Sequence, residues 1–517
     1  MSWIYDLAHK IIENTQHKDE IILQTGYGPS GLPHLGTYAE VARTNMLKKA
    51  IQNIINKPVK IIVFSDDQDS LRKVPDNVPQ KDMLSEYIGV SINKIPDPWN
   101  EFSSFAEHNN QELMRFLDMY NFEYTFIRSS DFYGIFDTNT DNIINKILIN
   151  IDNIKNIVTK DYRKERKETY CPLIPYNQNN EHIFNIQNFN YVSSSYYGLF
   201  EYTRKNNKNY CYTQNISNKN FKFQWKVDWP FRWMALGVDF EMHGKDLSNS
   251  AKVGKEICNL LGYNEPILFE YELFLDKEGK KISKSVGNGL SFDDWIKYSP
   301  SISLNWFLSQ NPRKARKIYL DMVPSTVDTY LRELNLNQDK YENSNAFLIH
   351  GYNKPEPSPI TYNMLINLVN ITNTNDFYIL WKYIQNYVPN LEPKNNPLLV
   401  DMTYGAINFY KDFVEPFKKY KEPSEEEREL MLVLASRIEL FFNSNNHLYG
   451  DDLANALMEN VIYEVGKQYF GKNNTLLREN YFKMLYKVLM GQESGPRFGQ
   501  FVVIYGIENT VELLRSI

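Results

Sequence analysis

The stretch that decides the fold is IILQTGYGPSGLPHLGTYAEVARTNMLKKAIQNIINKPVKIIVFSDD, residues 21–67. Its apolar run 21–25 ends at a glycine, a glycine-rich loop follows, and a helical pattern covers 37–51. A second apolar run, 59–64, ends at a serine and two aspartates. A strand, a loop, a helix and a strand in this order form a βαβ unit, and β-branched runs suit a parallel sheet that is covered on both faces. Such sheets bind ligands at the carboxyl ends of their strands.

The rest of the chain divides by its residue pattern. Residues 135–220 are rich in Asn, Lys and Tyr and have weak periodicity, which predicts an inserted domain of strands and long turns. Strong signals return at Gln224, and from about 315 the pattern is helical to the end, interrupted at 351–360 by a Pro/Gly-rich stretch that we interpret as a hinge. We therefore predict an α/β domain in two halves, 1–134 and 221–350, with an insertion between them and an all-α domain at the end.

Composition excludes several classes of protein. The chain has 517 residues, 42% hydrophobic and 23% charged, which is typical of a globular protein of about three domains and not of a disordered chain. The three cysteines, Cys171, Cys211 and Cys258, form no Cys-x-x-Cys pair, so we expect a reducing cytoplasm and no zinc. We expect no signal peptide and no membrane span, because no apolar stretch approaches about 18 residues. The net charge of −6 argues against a protein that coats nucleic acid through bulk charge, but it allows a nucleic-acid binder with local basic patches. We expect no DNA partner.

Two motifs have the residues that phosphate chemistry needs. The loop GPSGLPHLG, residues 28–36, lies between a strand and a helix. Its glycines let a ligand approach the backbone, the helix start offers N–H groups to an anion, and its histidine is a donor for a phosphate. It is neither a Walker loop nor a dinucleotide fingerprint. The second motif, GKKISKS at 279–285, is flexible and has three lysines. Taken singly, each motif also fits a simple turn or a solvated basic loop.

Together and in this order, the two motifs resemble the HIGH and KMSKS signatures of class I aminoacyl-tRNA synthetases. The counterparts are His34-Leu35-Gly36-Thr37 and Lys281-Ile282-Ser283-Lys284-Ser285. Eight blocks, two of which contain these motifs, are similar to class I lysyl-tRNA synthetases: TGYGPSGLPHLGT (25–37), FSDDQDSLRKVP (64–75), IPDPW (95–99), EHNN (107–110), QWKVDWPFRW (224–233), ELFLDKEGKKISKSVGN (272–288), QNPRKA (310–315) and GQESGPRFG (491–499). The resemblance therefore covers most of the chain.

The resemblance implies a Rossmann-type class I synthetase catalytic domain with an insertion, then an all-α anticodon-binding domain. It implies that lysine is activated by ATP with Mg²⁺ and is then transferred to tRNA(Lys). His34, Lys281 and Lys284 would be catalytic. The other implied ATP contacts, beside His34 and Lys284, are Gly28, Pro29, Ser30, Gly31, Gly36, Gly244, Asp246 and Ser285.

Lysine selection requires a carboxylate for the ammonium and an aromatic wall for the methylenes. The predicted contacts are Gly26, Trp225, Asp228, His243, Tyr271 and Glu272. Three aspartates after the second strand, Asp66, Asp67 and Asp69, are further candidates for an ammonium or magnesium, or else solvated turn residues. The sequence leaves open which carboxylate pairs with the ε-ammonium.

Basic and aromatic residues are the predicted tRNA contacts. Arg163 and Arg166 in the insertion are predicted to contact the acceptor stem, and Arg313, Lys314 and Arg316 the inside of the L. Anticodon bases would stack on aromatic side chains of the helical domain, for which Tyr463, Tyr481 and Phe482 are candidates.

Two alternative functions remain at this point. The chain is either a synthetase of the glutamyl or glutaminyl type, which shares this architecture, or a synthetase-like protein that binds tRNA without catalysis. The presence of His34 and both motif lysines argues against the second alternative. The long helical carboxyl-terminal half excludes a small nucleotidyltransferase.

Overall fold

The computed structural model describes residues 3–134, 138–176, 186–192, 197–203, 209–215, 221–282 and 290–517. The chain forms two compact units. The first consists of Met1–Phe292 and Leu308–Ile318, and the second of Asp293–Phe307 and Tyr319–Ile517. The predicted division between residues 350 and 351 therefore falls inside the second unit.

A parallel sheet organises the first unit. Its strands are β1 (Ile21–Tyr27), β2 (Val59–Ser65), β3 (Thr125–Arg128), β9 (Phe240–Gly244) and β10 (Ile267–Tyr271). Their order in the sheet is β10-β9-β1-β2-β3, and each neighbouring pair is parallel. The predicted strand-loop-helix-strand unit is confirmed, since a helix, α2 (Leu35–Ile54), connects β1 to β2. This is the Rossmann-type α/β arrangement that the β-branched runs predicted.

Smaller strands lie outside this sheet. β4 (Leu173–Pro175) pairs with β8 (Phe221–Phe223), and β5 (Ile186–Val192), β6 (Tyr197–Thr203) and β7 (Asn209–Asn215) form an antiparallel sheet. A two-residue strand, β11 (Phe274–Leu275), pairs with β12 (Arg316–Lys317). β4 is the first strand of the predicted insertion, and β8 begins directly after the insertion ends at residue 220.

The first unit also contains nine further α-helices among its described residues. They are α1 (Trp3–Asn14), α3 (Lys81–Glu86), α4 (Phe105–Asp118), α5 (Ser129–Gly134), α6 (Thr138–Ile149), α7 (Ile151–Val158), α8 (Lys164–Glu168), α9 (Trp225–Leu236) and α10 (Ser248–Leu261). A core of buried side chains joins α6, α7, α9 and α10 to the sheet and includes Trp229, Trp233 and Phe64. These rings place α9, which carries the QWKVDWPFRW block, directly beside the sheet.

The prediction of strands and long turns is wrong for the first part of the insertion. Residues 138–168 form α6, α7 and α8, and strands begin only at Leu173. Isoleucine and valine favour strands by propensity, but here they recur at helical spacing. Ile143 and Ile147, and likewise Ile154 and Val158, bury one face of their helices in the core shared with α9. Burial of that stripe overrides strand propensity.

The second unit is helical, as the periodicity predicted. Its helices are α13 (Val323–Leu334), α14 (Gln338–Tyr341), α15 (Asn345–His350), α16 (Tyr362–Thr372), α17 (Phe377–Tyr387), α18 (Pro397–Phe409), α19 (Glu425–Ser444), α20 (Gly450–Leu457), α21 (Tyr463–Phe470), α22 (Asn474–Leu476), α23 (Lys483–Leu489), α24 (Phe498–Tyr505) and α25 (Ile507–Arg515). Two more, α11 (Phe292–Ile296) and α12 (Ser301–Ser309), have residues in both units. The predicted hinge at 351–360 is the connection between α15 and α16.

Candidate active site

Four parallel strands end at one edge of the sheet, and the motif residues lie there. β1 ends at Tyr27, β2 at Ser65, β9 at Gly244 and β10 at Tyr271. Because β1 lies between β2 and β9, the chain order reverses at β1. Parallel α/β sheets open a ligand-binding crevice at such a reversal.

His34 caps the amino-terminal end of α2 with its own ring. The backbone N–H of Gly36 donates to His34 Nδ1 at 3.0 Å. A neutral imidazole has a hydrogen on only one of its two ring nitrogens, so this bond to Nδ1 places that hydrogen on Nε2. A Cβ at position 36 would lie 2.7 Å from His34 Cε1, so the ring requires glycine there. The predicted catalytic histidine therefore has an N–H donor at a helix start, where anions bind.

Two asparagines of the EHNN segment, in α4, hold the loop that follows β1. Asn109 Nδ2 donates to the carbonyl oxygen of Pro29 at 3.0 Å. Asn110 Oδ1 accepts from the hydroxyl of Tyr27 and from Ser65 Oγ, the latter at 2.7 Å. These bonds tie the ends of β1 and β2 to the motif loop, so EHNN acts as a support for that loop.

Glu40, in α2, lies among the predicted site residues but is not one of those predicted from the sequence. Its Oε1 accepts from the backbone N–H of Gly26 at 3.1 Å, and its Oε2 accepts from the hydroxyl of Tyr271 at 2.6 Å. Within the described part of the chain, Glu40 forms no ion pair with a cationic side chain. Loss of water around the carboxylate raises its pKa from 4.5 to about 8. Glu40 thus supplies a carboxylate between two predicted lysine contacts.

Arg43 lies one turn after Glu40 and supports Tyr271. Its Nε donates to the carbonyl oxygen of Leu308 at 3.0 Å. Its guanidinium lies 5.6 Å from the ring centroid of Tyr271 and 5.3 Å from that of Phe274. Burial lowers the pKa of Arg43 to about 10, so it is still a cation at neutral pH. Arg43 therefore places a cation beside the Tyr271 ring, and this cation also attracts Glu40.

A buried carboxylate on β9 fixes the predicted aromatic wall. Glu241 Oε2 accepts from Gln24 Nε2 at 2.9 Å, Trp229 Nε1 at 2.9 Å and Trp233 Nε1 at 2.5 Å. Trp225, one turn before Trp229 in α9, stacks on it with ring centroids 4.8 Å apart. The position of Trp225 at the site thus depends on the anchoring of the two later indoles.

Two other predicted lysine contacts bond to protein groups. His243 is buried on β9, with Nδ1 3.0 Å from the carbonyl oxygen of Gly244. Glu272 pairs with Lys245 at 2.6 Å at the surface. The roles of both residues toward lysine stay predictions.

Five charged side chains form a network between β2, β8 and α9: Asp66, Asp69, Asp228, Lys222 and Arg232. Lys222 Nζ donates to Asp66 Oδ1 at 3.1 Å and also pairs with Asp69. Arg232 pairs with both Asp66 and Asp228. All but Asp69 are buried. Burial alone would raise the pKa of Asp66, but the two cations hold it below its usual value.

The predicted lysine contact Asp228 is sealed in this network. Its Oδ2 pairs with Arg232, and its Oδ1 accepts from the hydroxyl of Tyr133 at 2.6 Å. A substrate ammonium would have to replace Arg232, which would leave a buried guanidinium with one carboxylate fewer. The geometry therefore favours Glu40 over Asp228 as the acid for the ammonium.

Asp67 follows Asp66 but lies outside the network of ion pairs. It accepts from the backbone N–H of Ser130 at 2.8 Å and from the Ser130 hydroxyl. Burial raises its pKa to about 6. Asp67 therefore connects β2 to the start of α5.

The predicted nucleotide side of the site brings both motifs together. Lys281 Nζ pairs with Asp246 at 2.9 Å. A Cβ on Gly244 would lie 2.7 Å from Asp246 Oδ1, so this glycine leaves room for that carboxylate. A small cavity of about 90 Å³ is lined by His34, Leu35, Gly36, Tyr271, Leu273, Phe274, Ile282, Leu290 and Ile318. The predicted residues Lys284 and Ser285 lie outside the described residues.

A larger, basic cleft of about 610 Å³ adjoins the loop after β1. Its lining includes Gly28, Ser30 and Trp225 from the predicted site, the cations Arg72, Lys73, Arg166 and Lys226, and Asp69. The predicted acceptor-stem contact Arg166 therefore shares one cleft with the motif loop, while Arg163 precedes it at the exposed start of α8. This basic lining suits a nucleic-acid backbone.

The basic stretch after the KISKS motif consists of the short strand β12 and the residues that precede it. Arg313 and Lys314 are exposed, and the Arg313 guanidinium lies 5.0 Å from the ring centroid of Phe269. Arg316 is in β12 and is paired in register with Phe274 of β11. It is half-buried, and burial lowers its pKa. Of this stretch, Arg316 is thus placed beside the small cavity.

Neither a metal cluster nor a membrane-spanning helix occurs within the described ranges. No three His, Cys, Asp or Glu side chains there are grouped to hold a metal ion. Cys171 and Cys258 are buried, and burial raises the pKa of each thiol to about 12, while the side chain of Cys211 lies outside what is described. The absence of zinc stays a prediction. No helix among these residues is long and apolar enough to cross a bilayer.

Comparison with known proteins gives matches along the chain. The family model described as tRNA synthetases class I (K) matches residues 1–353. The lysine–tRNA ligase of Roseobacter denitrificans is 36% identical over 99% of this chain and 95% of its own. That of Rickettsia bellii is 36% identical over 100% of this chain and 97% of its own. A glutamate-tRNA synthetase structure from Elizabethkingia anophelis aligns over 96% of this chain and 99% of its own, with 10% identity and a TM-score of 0.40, too low to add to the assignment.

Proposed function

The chain belongs to the class I (K) family of tRNA synthetases, and from this premise we propose that it attaches L-lysine to tRNA(Lys) with ATP. A lysine carboxylate oxygen bonds to the α-phosphorus of ATP, and the bond from that phosphorus to pyrophosphate breaks. The 2′-hydroxyl of the terminal adenosine then attacks the carbonyl carbon of lysyl-adenylate, and AMP leaves. No enzyme nucleophile is needed, so catalysis rests on positioning and on stabilisation of charge.

The single structural observation that supports lysine as the substrate is the Glu40 carboxylate. It accepts hydrogen bonds from the N–H of Gly26 and the hydroxyl of Tyr271, and it forms no ion pair within the described chain. A substrate ε-ammonium would form the ion pair that the nearby Arg43 does not form with Glu40, and Trp225 borders the basic cleft as an aromatic wall. An uncharged amino acid would leave the carboxylate without a partner, which is the basis of its rejection.

The phosphates of ATP would bind between the two motifs. His34 Nε2 would donate to a phosphate oxygen from the start of α2. Lys281, now paired with Asp246, and Lys284 would neutralise the charge that develops on the α-phosphorus and on pyrophosphate. Mg²⁺ would accompany ATP and keep mostly water ligands, because Asp66 and Asp69 are already paired with Lys222.

The tRNA acceptor end would reach the site through the basic cleft of the first unit. Arg166, Arg72 and Lys73 line that cleft and would bind phosphates, which positions RNA without reading its sequence. The second unit would bind the anticodon arm. The activity belongs to translation, for which we propose a cytoplasmic location.

The proposed function is tested by charging total tRNA with each of the twenty standard amino acids in the presence of ATP. Lysine should be the only one charged efficiently, and ornithine, used as a shorter cationic competitor, should be charged weakly. A difference of one methylene in a hydrophobic pocket discriminates by only about 10- to 200-fold. Glutamate or glutamine charged as fast as lysine would refute the proposal.

A further inference from the structure

Among the anticodon-stacking candidates named from the sequence, Tyr481 has no exposed ring. It is 0% exposed, and a Cβ on Gly466 would lie 2.6 Å from its Cδ1 atom. Tyr463 and Phe482 are half-buried, and their rings contact each other edge to face. A ring that stacks on an RNA base needs an open face. Exposed rings beside cations elsewhere in the second unit suit this role better.

A groove of about 570 Å³ in the second unit meets this requirement. It is lined by Phe413, Val414, Phe417, Lys419, Tyr420, Lys421, Lys487, Gly491, Gln492, Glu493 and Ser494. We call it the GQES groove, because one wall is the start of the GQESGPRFG segment, which the proposed chemistry leaves without a role. Phe417 is 72% exposed and Tyr420 is 60% exposed.

The GQES groove is held by backbone bonds between its two walls. The N–H of Lys419 donates to the carbonyl oxygen of Gly491 at 2.9 Å, and the N–H of Lys421 donates to that of Lys487 at 3.2 Å. Gly491 has φ +69°, and a Cβ there would lie 3.2 Å from Lys418 Cβ. The glycine therefore permits the close approach of the walls, and the exposed rings stand on a fixed frame.

Lysines outnumber acids along the lining of the groove, which has Lys419, Lys421 and Lys487 against Glu493. Lys421 pairs with Glu427, and Lys487 and the nearby Lys483 both pair with Glu493. Lys418 Nζ lies 5.1 Å from the ring centroid of Tyr420 and thereby orients that ring. Exposed aromatic rings with an excess of lysines match unpaired nucleotides, whose bases stack while their phosphates meet the cations.

We propose that the GQES groove binds unpaired loop nucleotides of the tRNA, with Phe417 and Tyr420 as stacking platforms and Lys419 as a phosphate contact. The inference rests on the proposed function for the identity of the RNA. The GQESGPRFG segment then has a defined role: its first residues form one wall, and Gly495 packs where a Cβ would lie 2.5 Å from the Tyr486 ring. An acidic peptide is the competing occupant that the charge would also attract.

The test uses the full chain and an RNA hairpin that carries the anticodon stem and loop of tRNA(Lys), with binding followed by fluorescence anisotropy. Phe417→Ala should weaken hairpin binding by about 5- to 100-fold, the range for loss of one base stack. Lys419→Ala should lower the slope of log K against log salt by about 0.7, as for one phosphate contact. Tyr449→Ala is the matched control, because Tyr449 is 73% exposed and precedes Asp451 and Asp452. It should bind like the wild type.

The experiment separates this inference from the proposed function. Stabilisation by a non-hydrolysable lysyl-adenylate analogue should be the same in Phe417→Ala and in the wild type, since the analogue needs only the first unit. Equal hairpin binding by Phe417→Ala, Lys419→Ala and Tyr449→Ala would overturn the inference while leaving lysine charging untouched. Displacement of the hairpin by poly-glutamate at equal charge concentration would assign the groove to acidic peptides and would also overturn it.

Discussion

Two acids at the carboxyl edge of the sheet have opposite surroundings. Asp66 is buried between Lys222 and Arg232, which hold its pKa below the usual value. Glu40 is partly buried and accepts hydrogen bonds only from neutral groups; Arg43 attracts it without forming an ion pair, and the pKa of Glu40 rises to about 8. A buried acid that is paired with protein cations has its charge compensated, whereas an acid without such an ion pair gains from a cationic ligand. We propose that this difference separates an acid that stabilises the fold from one that recognises a substrate.

The largest effect that would sharpen this comparison is expected on stability. Asp66→Asn should lower the free energy of unfolding by about 3–5 kcal/mol, because it removes one partner from a buried ion-pair network. Urea unfolding followed by circular dichroism measures it. Asp69→Asn is the matched control, because Asp69 pairs with the same Lys222 from a 41% exposed position and should cost about 1 kcal/mol or less. Equal losses would mean that burial does not distinguish the two aspartates.

The next effect concerns the proposed phosphate-binding side of the site, where the space around Gly36, rather than a charge, determines the position of the His34 ring. Gly36→Ala should lower the rate of lysyl-tRNA formation by about 10- to 100-fold, because the added Cβ would displace the His34 ring from its position at the start of α2. The KM for lysine should hardly change. Gly134→Ala is the control, since no atom of the described residues lies within 4 Å of its Cβ position. Single-turnover charging assays compare them, and a normal rate in Gly36→Ala would remove His34 from its assigned role.

The smallest effect concerns pH and follows from the pKa of Glu40, about 8. The free enzyme has neutral Glu40 below that pH, and pairing with an ammonium requires the ionised form. The KM for lysine should therefore fall about tenfold as pH rises from 7 to 9 and then level off. The raised pKa also means that Glu40 lowers the stability of the free fold as pH rises from its unfolded value toward 8. A KM that does not vary with pH in this window would indicate that Glu40 is ionised before lysine binds.

Much of the first unit was predictable from local pattern. Residues 21–67 form β1, α2 and β2 as predicted, because buried parallel strands are recognisable as apolar runs and the loop between strand and helix by its glycines. The family assignment from the two motifs is confirmed by the family model and by relatives that span the chain. The helices at 138–168 were not predicted, because their isoleucines signal strands by type and helices only by spacing.

The site was less predictable, because partner choice depends on the tertiary fold. Asp228 was one of several candidate lysine contacts, and in the structure it pairs with Arg232 and accepts a hydrogen bond from Tyr133. Glu40 was missed, although a lone acid in the otherwise buried stretch Tyr38-Ala39-Glu40-Val41-Ala42 was a usable signal. Nothing in the sequence shows that Tyr271, 231 residues away, donates its hydroxyl to Glu40.

Amino-acid discrimination by the wild type and by Glu40→Gln tests the central claim most directly. Charging of tRNA(Lys) is measured with lysine and with ε-hydroxynorleucine, a neutral analogue of similar shape, and Asp67→Asn serves as a control acid. We predict that Glu40→Gln lowers kcat/KM for lysine by about 10²- to 10³-fold but hardly changes it for the analogue, because the ε-ammonium of lysine then has no carboxylate partner. The Tm should be unchanged. Asp67→Asn should keep the wild-type preference. If Glu40→Gln charges lysine as the wild type does, Glu40 is not the acid that selects lysine.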